Sequence, residues 1–448
     1  MLDKIDSFLW DNCLIFLLIG TGLYLTIYLK GIQFRYLFTS LKLAFSKHDD
    51  THAGDISQFQ SLMTSLAATI GIGSIAGMAT AVMAGGYGAI FWMWVVALIG
   101  MATKYAEGIL AVKFRLSNAK GEMKGGPMYY LRDGLKQKWL GIAFAFFGIM
   151  AACGGGNLIQ SQSISDAIRD IFPIPAYMIG IVLSLFTAVV IFGGIKKLGK
   201  VNAFLVPIMA LLYVIFGLGI VIIHADKLLV GLKWIFLSAF NGKAAFGGLA
   251  GIGVMNAMQM GIARGISSNE AGLGSGPIAS AAAKTDTPAK QALISMSSVF
   301  LSSFFVCTIT VLVLAVSGVI GTTNASGALL NGAPLVMHAF SKTIPFGNII
   351  VAIGLILFGF STILGWAYYG EKCMEFLFHE RGVNIFRIFF TGFVFLGSIA
   401  SLEVVWPIAD IMNGLMALPN LIGILLLAKV VRTESTALVG PITKLSKT

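Results

Sequence analysis

Charge is what this chain has least of. Asp, Glu, Lys and Arg together make up 11% of its 448 residues, hydrophobic residues make up 57%, and the mean hydropathy is +0.87. A soluble domain carries about a quarter of its residues charged. The composition excludes a soluble enzyme or binding module and indicates a polytopic helical protein whose surroundings are a lipid bilayer. Cysteine is scarce as well. Cys13, Cys153, Cys307 and Cys373 are scattered through apolar segments without a C-x-x-C pair, which excludes a disulfide framework and a thiolate metal site. His48 and His52, beside Asp49, Asp50 and Asp55, form a weak metal pattern that a solvated loop explains better. No serine-histidine-acid order, nucleotide loop or clustered ligand set points to catalysis or an organic cofactor. The N-terminus has Lys4 alone against Asp3, Asp6 and Asp11. It lacks the basic region of a signal peptide, so the first apolar segment is expected to stay as a membrane helix.

What is present is a series of apolar runs. About 20 residues cross a bilayer, and on that length eleven spans are expected. They lie near 12–30, 59–84, 88–112, 140–161, 176–194, 201–223, 244–265 (continuing to about 283), 290–317, 346–371, 384–401 and 404–428. The net charge of +11 follows this order rather than forming a nucleic-acid surface. Alternate connecting segments hold 23 Lys and Arg, the opposite set holds 6, and Lys104 and Arg264 lie within spans. By the positive-inside rule the N-terminus is outside and the C-terminus cytoplasmic.

One stretch organises the rest. Ser61–Gly88 carries no charge, yet Gly71, Gly73, Gly77, Gly85, Gly86 and Gly88 weaken it as a helix. A helix broken at mid-membrane offers free N–H groups at one half-helix start, suited to a carboxylate, and free C=O groups at the other half-helix end, suited to a cation. Residues around Thr69–Ser74 are therefore expected to hold a small zwitterion and a cation. A second glycine-rich interruption, Phe246–Pro277, lies five spans later. Five is odd, so the two groups of five enter the membrane from opposite sides, as in an inverted-repeat transporter. The expected divisions are 1–58 (first helix and cytoplasmic linker), 59–223 (first repeat), 244–430 (second repeat) and 431–448 (tail).

Several residues carry two readings. Gly71-Ile72-Gly73-Ser74-Ile75-Ala76 matches a dinucleotide pattern but lacks its strand. Gly73-x-x-x-Gly77 is also a close-packing motif. Arg264 and Glu270 are read first as capping the unwound seventh span, and Lys104 and Glu107, three apart, as a pair. The Ser361 and Thr362 hydroxyls could complete an oxygen cage for a cation, or bond back to their own helix. Gln160 is interhelical glue or a pocket wall. Asp410 and Asn413 line a water path or meet Lys104.

Taken together, six strings resemble the alanine or glycine:cation symporter family, the sodium:alanine symporters of the amino acid–polyamine–organocation superfamily. They are GIQFR (Gly31–Arg35), ATIGIGSIAG (Ala68–Gly77), FWMWVVALIGMATKYAE (Phe91–Glu107), GGPMYY (Gly125–Tyr130), SNEAGLGS (Ser268–Ser275) and FSTILGWAYYGE (Phe360–Glu371). The resemblance implies an all-α leucine-transporter-type fold, a 5+5 inverted repeat with one extra N-terminal helix. It also implies Na⁺-coupled uptake of alanine or glycine across the plasma membrane by alternating access. Carried over by motif, Na⁺ would meet backbone oxygens near Ala67 and Ile70 and the hydroxyls of Ser361 and Thr362. The substrate carboxylate would meet N–H groups at Thr69 and Gly71, Ile72, Gly73 and Ser74, with Gln160 and Trp366 bordering the side-chain pocket. This chain departs from the family at Ser74 (usually Asn), at Ser267 (usually aromatic) and at Tyr87 (commonly Pro, with consequences expected only in the loop). Ser267 would leave a larger and more polar pocket. A larger polar amino acid such as glutamine or serine, proton coupling, and a channel are the alternatives.

Overall fold

The computed structural model describes residues 2–46, 51–118, 120–240, 253–324, 327–400 and 405–436. His48, Asp49, Asp50 and the opening of the expected seventh span (244–252) lie outside the described residues. The chain is built almost wholly of helices: α1 (Leu2–Leu9), α2 (Ile15–Tyr28), α3 (Ile32–Phe45), α4 (Gln58–Thr69), α5 (Ala76–Gly85), α6 (Gly88–Lys113), the single turn α7 (Pro127–Tyr129), α8 (Lys138–Cys153), α9 (Ile159–Arg169) and α10 (Ala176–Ile191). The second half holds α11 (Gly194–Ile223), α12 (Ala225–Phe240), α13 (Val254–Asn269), α14 (Gly276–Ala281), α15 (Pro288–Phe300), α16 (Thr308–Ser317), α17 (Gly332–Ser341), α18 (Gly347–Ile399), α19 (Val405–Leu426) and α20 (Ala428–Thr436).

Among the described residues, six helical stretches, one of them (α18) kinked at His379, are long and apolar enough to cross a membrane, and the bent pair α2–α3 brings the number to seven. Unbroken helices do not reach the expected eleven, and each shortfall has a local cause. Stretch 59–84 is interrupted by glycine and α10 has only 16 residues, while stretches 346–371 and 384–401 are two helices joined at non-helical His379 (φ 57, ψ −163) and counted together as α18. Side chains such as Ile27, Leu185, Phe204 and Phe389 project from the outer surface. In water such a belt would be a liability, whereas hydrocarbon is the solvent it fits.

Helix α6 lies at the centre, against α2, α13, α14 and α15. Small residues let these helices touch at the backbone. A Cβ on Gly261 would stand 2.2 Å from the Ala89 carbonyl, and one on Gly108 would stand 2.8 Å from Ala292 Cα. Tyr87 does more than shape a loop. It is buried, donates to the Leu314 carbonyl (3.4 Å) and stacks on Trp234.

The break in the first organising stretch follows from its residues. Helix α4 starts with a capping box: the Gln60 N–H donates to Ser57 Oγ (3.1 Å) and the Ser57 N–H to Gln60 Oε1 (3.0 Å). This satisfies two of the helix's orphan donors. The helix ends at Ile70, which leaves the helical region (φ −87, ψ 71), and Gly71 is fully extended. One tight turn, Ile72–Ser74, precedes the restart at Ala76. On the side where α4 begins, the chain is latched. Ile56 pairs with Ala283, the Lys284 N–H donates to the Ile56 carbonyl (2.8 Å), and Arg115 donates to the carbonyls of Ala53, Ala281 and Ala283. Burial there pulls the Arg115 guanidinium below its ordinary pKa and raises the Asp55 carboxyl above its own.

Candidate functional site

A cavity of about 510 Å³ reaches from the break to α1, the start of α17 and Trp406. Thr69, Gly71, Ile72, Gly73, Gln160, Ser267, Thr362 and Trp366 line it, so residues far apart in sequence meet at one wall system. Ala67, Ile70, Ser74 and Ser361 are buried and do not line it.

Backbone groups dominate the floor. Among the described residues, the N–H groups of Gly71, Ile72 and Gly73 have no backbone partner, because α4 has stopped and the next turn has only begun. Gly71 and Ile72 are buried, where unpaired N–H groups are rare, and Gly73 is exposed; successive N–H groups of this kind beside a cavity suit an anion. The Ser74 N–H differs, donating to the Gly71 carbonyl (3.0 Å). Its hydroxyl also turns away from the cavity, 3.2 Å from Ser268 Oγ, while its carbonyl accepts from Thr310 (3.0 Å). The small side chain faces a second polar cluster, where Ser268 Oγ also lies 3.0 Å from Cys307 Sγ.

Gln160 supplies a donor bond and an open acceptor. Its Nε2 donates to the Gly155 carbonyl (3.0 Å), within the glycine-widened turn before α9. Its Oε1 is buried without a hydrogen-bond partner and faces Gly71, where a Cβ would stand 3.5 Å away. An orphan amide oxygen opposite bare N–H groups matches the two ends of a zwitterion. Trp366 packs its ring onto Gly156, where a Cβ would lie 2.3 Å from the tryptophan.

Behind the floor, oxygens converge. Thr362 Oγ1 stands 2.9 Å from the Ala67 carbonyl and 2.8 Å from the Phe358 carbonyl, and Ser361 Oγ stands 3.0 Å from the same Phe358 carbonyl and 3.3 Å from Met209 Sδ. Both hydroxyls thus bond back to their own helix, and one also spans to the broken helix. A neutral set of carbonyl and hydroxyl oxygens fits a hard monovalent cation. The Phe358 carbonyl was not anticipated. Its signal was the i−3/i−4 back-bonding habit of Ser and Thr in membrane helices. A Cβ on Gly71 would stand 2.6 Å from Thr362 Oγ1, so the cavity floor and the oxygen knot share a wall.

Other expectations change. Gly73 and Gly77 face open space, with nothing within 4 Å of an added Cβ, and both line the cavity. The packing reading of that pair fails, because no helix lies opposite. Arg264 lines the cavity together with Asp6, Asp410 and Asn413, so it does not cap the unwound seventh span. That role belongs to Lys104 and Glu107, which form no ion pair with each other. Lys104 Nζ donates to the carbonyls of Asn269 and Glu270 (3.4 Å each). Glu107 Oε1 accepts from the N–H groups of Gly272 and Gly274 (3.1 Å each) and from Asn420 Nδ2 (2.8 Å). Asn420, rather than Asp410 or Asn413, is the α19 residue that reaches this cluster. Glu270 Oε2 accepts from the Ser275 hydroxyl (2.5 Å).

The chain matches the Sodium:alanine symporter family over residues 1–438. It belongs to that family. The sodium/alanine symporter AgcS of Methanococcus maripaludis is 51% identical over 445 residues, covering 98% of this chain and 96% of that protein. The probable sodium/glutamine symporter GlnT of Bacillus subtilis is 36% identical, covering 96% and 88%. Among solved structures, MhsT in complex with L-phenylalanine aligns with a TM-score of 0.61 at 14% identity, over 86% of this chain and 93% of that one. The Eremococcus coleocola manganese transporter aligns with a TM-score of 0.51, also at 14% identity, over 81% and 76%. These likenesses show the fold. With the family they make the chain a multi-pass amino acid:cation symporter and not an enzyme.

Proposed function

We propose that the chain imports a small neutral amino acid with Na⁺ by alternating access, the two five-helix groups (59–223 and 244–430) forming inverted repeats around the cavity. The observation that carries this reading is the shared wall at Gly71. Gly71, Ile72 and Gly73 line the cavity with N–H groups that have no backbone partner, and the Thr362 hydroxyl lies beside Gly71, bonded to the Ala67 carbonyl. In this reading the substrate carboxylate takes the free N–H groups, its ammonium takes Gln160 Oε1, and Trp366 and Ser267 border its side chain. Na⁺ displaces the hydroxyl protons from the carbonyls of Ala67 and Phe358 and takes the oxygens of Thr362 and Ser361, with Ile70 closing the helix end beside it. Each ligand orders a wall of the other's site, which is the physical content of coupling.

The cavity reaches the side of the protein that bears α1, while the Arg115 latch closes the other. With the N-terminus outside, this is an outward-facing state. The experiment is uptake into proteoliposomes. Saturable alanine uptake that collapses without an inward Na⁺ gradient supports the symporter, and a proton gradient substituting for Na⁺ replaces the coupling ion. Unsaturable flux favours a channel.

A second reading, a larger polar substrate such as glutamine or serine, is favoured by Ser267. Its wall is not refilled from the same helix, since neither Met258 nor Met260 lines the cavity. Competition of labelled alanine by a panel of amino acids separates the two.

A further inference from the structure

The GIQFR string (Gly31–Arg35) has no part in the transport cavity, yet the fold uses each of its residues. Helices α2 and α3 meet at 86°. Lys30 and Gly31 make the corner in left-handed backbone (φ 55 and 64), and the Gly31 N–H donates to the Thr26 carbonyl (2.7 Å). Gln33 Nε2 donates to Thr26 Oγ1 (2.9 Å), pinning the corner, and Ile32 is buried beneath it. Phe34 and Phe38 project from α3 into the surroundings, as on a helix lying in a membrane interface.

Inside the corner is a second cavity, of about 270 Å³, lined by Lys30, Arg35 and, from α20, Arg432, with Tyr28, Tyr105 and Ser435. The Arg35 guanidinium lies over the Tyr36 ring (5.3 Å) and that of Arg432 over the Tyr28 ring (4.9 Å), so both side chains, though exposed, rest against aromatic faces at the cavity. Among the described residues, no carboxylate lines the cavity. Glu434, on the same turn of α20 as Arg432, is engaged by Lys113 at 2.7 Å. The amino end of α3 adds its partial positive charge. Lys30, Arg35 and Arg432 are exposed and have no counter-charge at the cavity among the described residues, so their mutual repulsion is partly screened by solvent and an anion in their midst would relieve the rest.

We propose that this cavity binds the phosphate of an anionic phospholipid, with Arg35, Arg432 and Lys30 on the phosphate oxygens and the acyl chains lying along Phe34 and Phe38. Planar guanidiniums suit phosphate, basic pockets among membrane helices suit acidic head groups, and the aromatic flank beside the cavity favours a lipid over free phosphate. Occupied, the site would fix the corner that ties α2 and α3 to α20.

The test is thermal unfolding of the full-length protein in bilayer discs of phosphatidylcholine alone and of phosphatidylcholine with about one quarter phosphatidylglycerol. The wild type is expected to unfold at higher temperature with phosphatidylglycerol. Arg35→Gln/Arg432→Gln is expected to lose at least half of that shift, and Arg35→Lys/Arg432→Lys to keep most of it. Native mass spectrometry reads the same outcome independently, through loss of retained phosphatidylglycerol. The exposed single variant Lys30→Gln, in which the arginines stay in place, is expected to retain less lipid than wild type should the double variant fail to fold. An equal phosphatidylglycerol shift in wild type and the Gln double variant, or equal lipid retention in wild type and Lys30→Gln, overturns the proposal. Inorganic phosphate added to the phosphatidylcholine discs is expected to leave the transition unmoved. A phosphate-induced rise equal to that from phosphatidylglycerol overturns the lipid assignment in favour of a soluble anion.

Discussion

The chain breaks a helix inside the bundle twice, and it treats the two breaks in opposite ways. At Ile70–Ile75 the interrupted backbone is left open. Gly71–Gly73 keep N–H groups without a backbone partner, the Ala67 carbonyl is met by the Thr362 hydroxyl, and no charged side chain among the described residues bonds to the interrupted backbone, although Arg264, Glu270 and Asp410 line the same cavity. At Asn269–Ser275 the backbone is sealed by ionisable side chains. Lys104 holds two carbonyls, Glu107 holds two N–H groups, and Asn420 bridges Glu107 to the Gly272 carbonyl (2.9 Å). Leaving a buried polar group unpaired costs about 1–3 kcal/mol. The first break bears that cost where a ligand can relieve it, and the second avoids it with permanent partners. An open break, the one proposed to bind, and a sealed break that holds shape look alike as glycine-rich strings and differ in what stands opposite them.

Removing the permanent partner tests this contrast most severely. Glu107→Ala strips the acceptor from two buried N–H groups and from Asn420, and deletion of one member of a buried charged network costs about 3–5 kcal/mol. Loss of most folded protein, or a large fall in the unfolding temperature, is the expected outcome, with or without ligands. An unfolding temperature within a degree or two of wild type would mean that the second break does not depend on its staple.

Thr362→Val probes the open break and should act mainly on ligand binding. Shape is retained but the buried Ala67 carbonyl loses the Thr362 hydroxyl, so the unfolding temperature without Na⁺ is expected to fall modestly, by the cost of one unpaired group of about 1–3 kcal/mol and by less than for Glu107→Ala. The half-saturating Na⁺ concentration for uptake is expected to rise by about tenfold or more, equivalent to about 1.4 kcal/mol. The stabilisation that Na⁺ gives wild type by mass action should shrink in step. Unchanged Na⁺ dependence in correctly inserted protein removes Thr362 from the cation site.

Ser267→Phe sharpens the comparison on the substrate side. A ring adds roughly 150–250 Å² of apolar surface to a wall now bounded by a hydroxymethyl group. The ratio of glutamine to alanine inhibition constants is expected to rise, by an amount within the 1–3 kcal/mol that a pocket contact commonly discriminates. A wild type that already excludes glutamine, with a ratio unmoved by the substitution, takes pocket size away from Ser267.

The smallest effect is expected at Gly77→Ala. Nothing lies within 4 Å of the added methyl, and alanine favours a helix over glycine by up to about 1 kcal/mol. Stability should be unchanged or slightly higher, as read by thermal unfolding. A loss above about 1 kcal/mol would restore the helix-packing reading that the open space argues against.

Much of the first break could be read in advance, because its signal is local. An uncharged membrane stretch with Gly71 and Gly73 cannot keep every backbone bond, and Gln160, Ser267, Thr362 and Trp366 follow from motif resemblance. The assignments that changed are those in which the partner is distant in sequence. Lys104 and Glu107 sit three apart on α6, which suggests a pair, but both point at a strap 165 or more residues away. Ser74 adjoins the cavity in sequence, yet its side chain turns to Ser268 on another helix. The number of long continuous helices is smaller than the number of apolar runs for a related reason, since hydropathy marks where apolar residues lie and not whether the helix through them is continuous.

By itself the sequence determined the environment, the helical class and the places where helices must fail. Those depend on composition and on backbone propensity within a few residues. Tertiary structure alone decided what each failure is for. Whether a freed N–H meets a carboxylate from its own protein, as at Gly272 and Gly274, or lies beside a cavity, as at Gly71–Gly73, depends on which helix lies opposite. That neighbour is fixed by packing across hundreds of residues, through contacts such as Gly261 on Ala89 and Gly156 on Trp366. No local pattern encodes it.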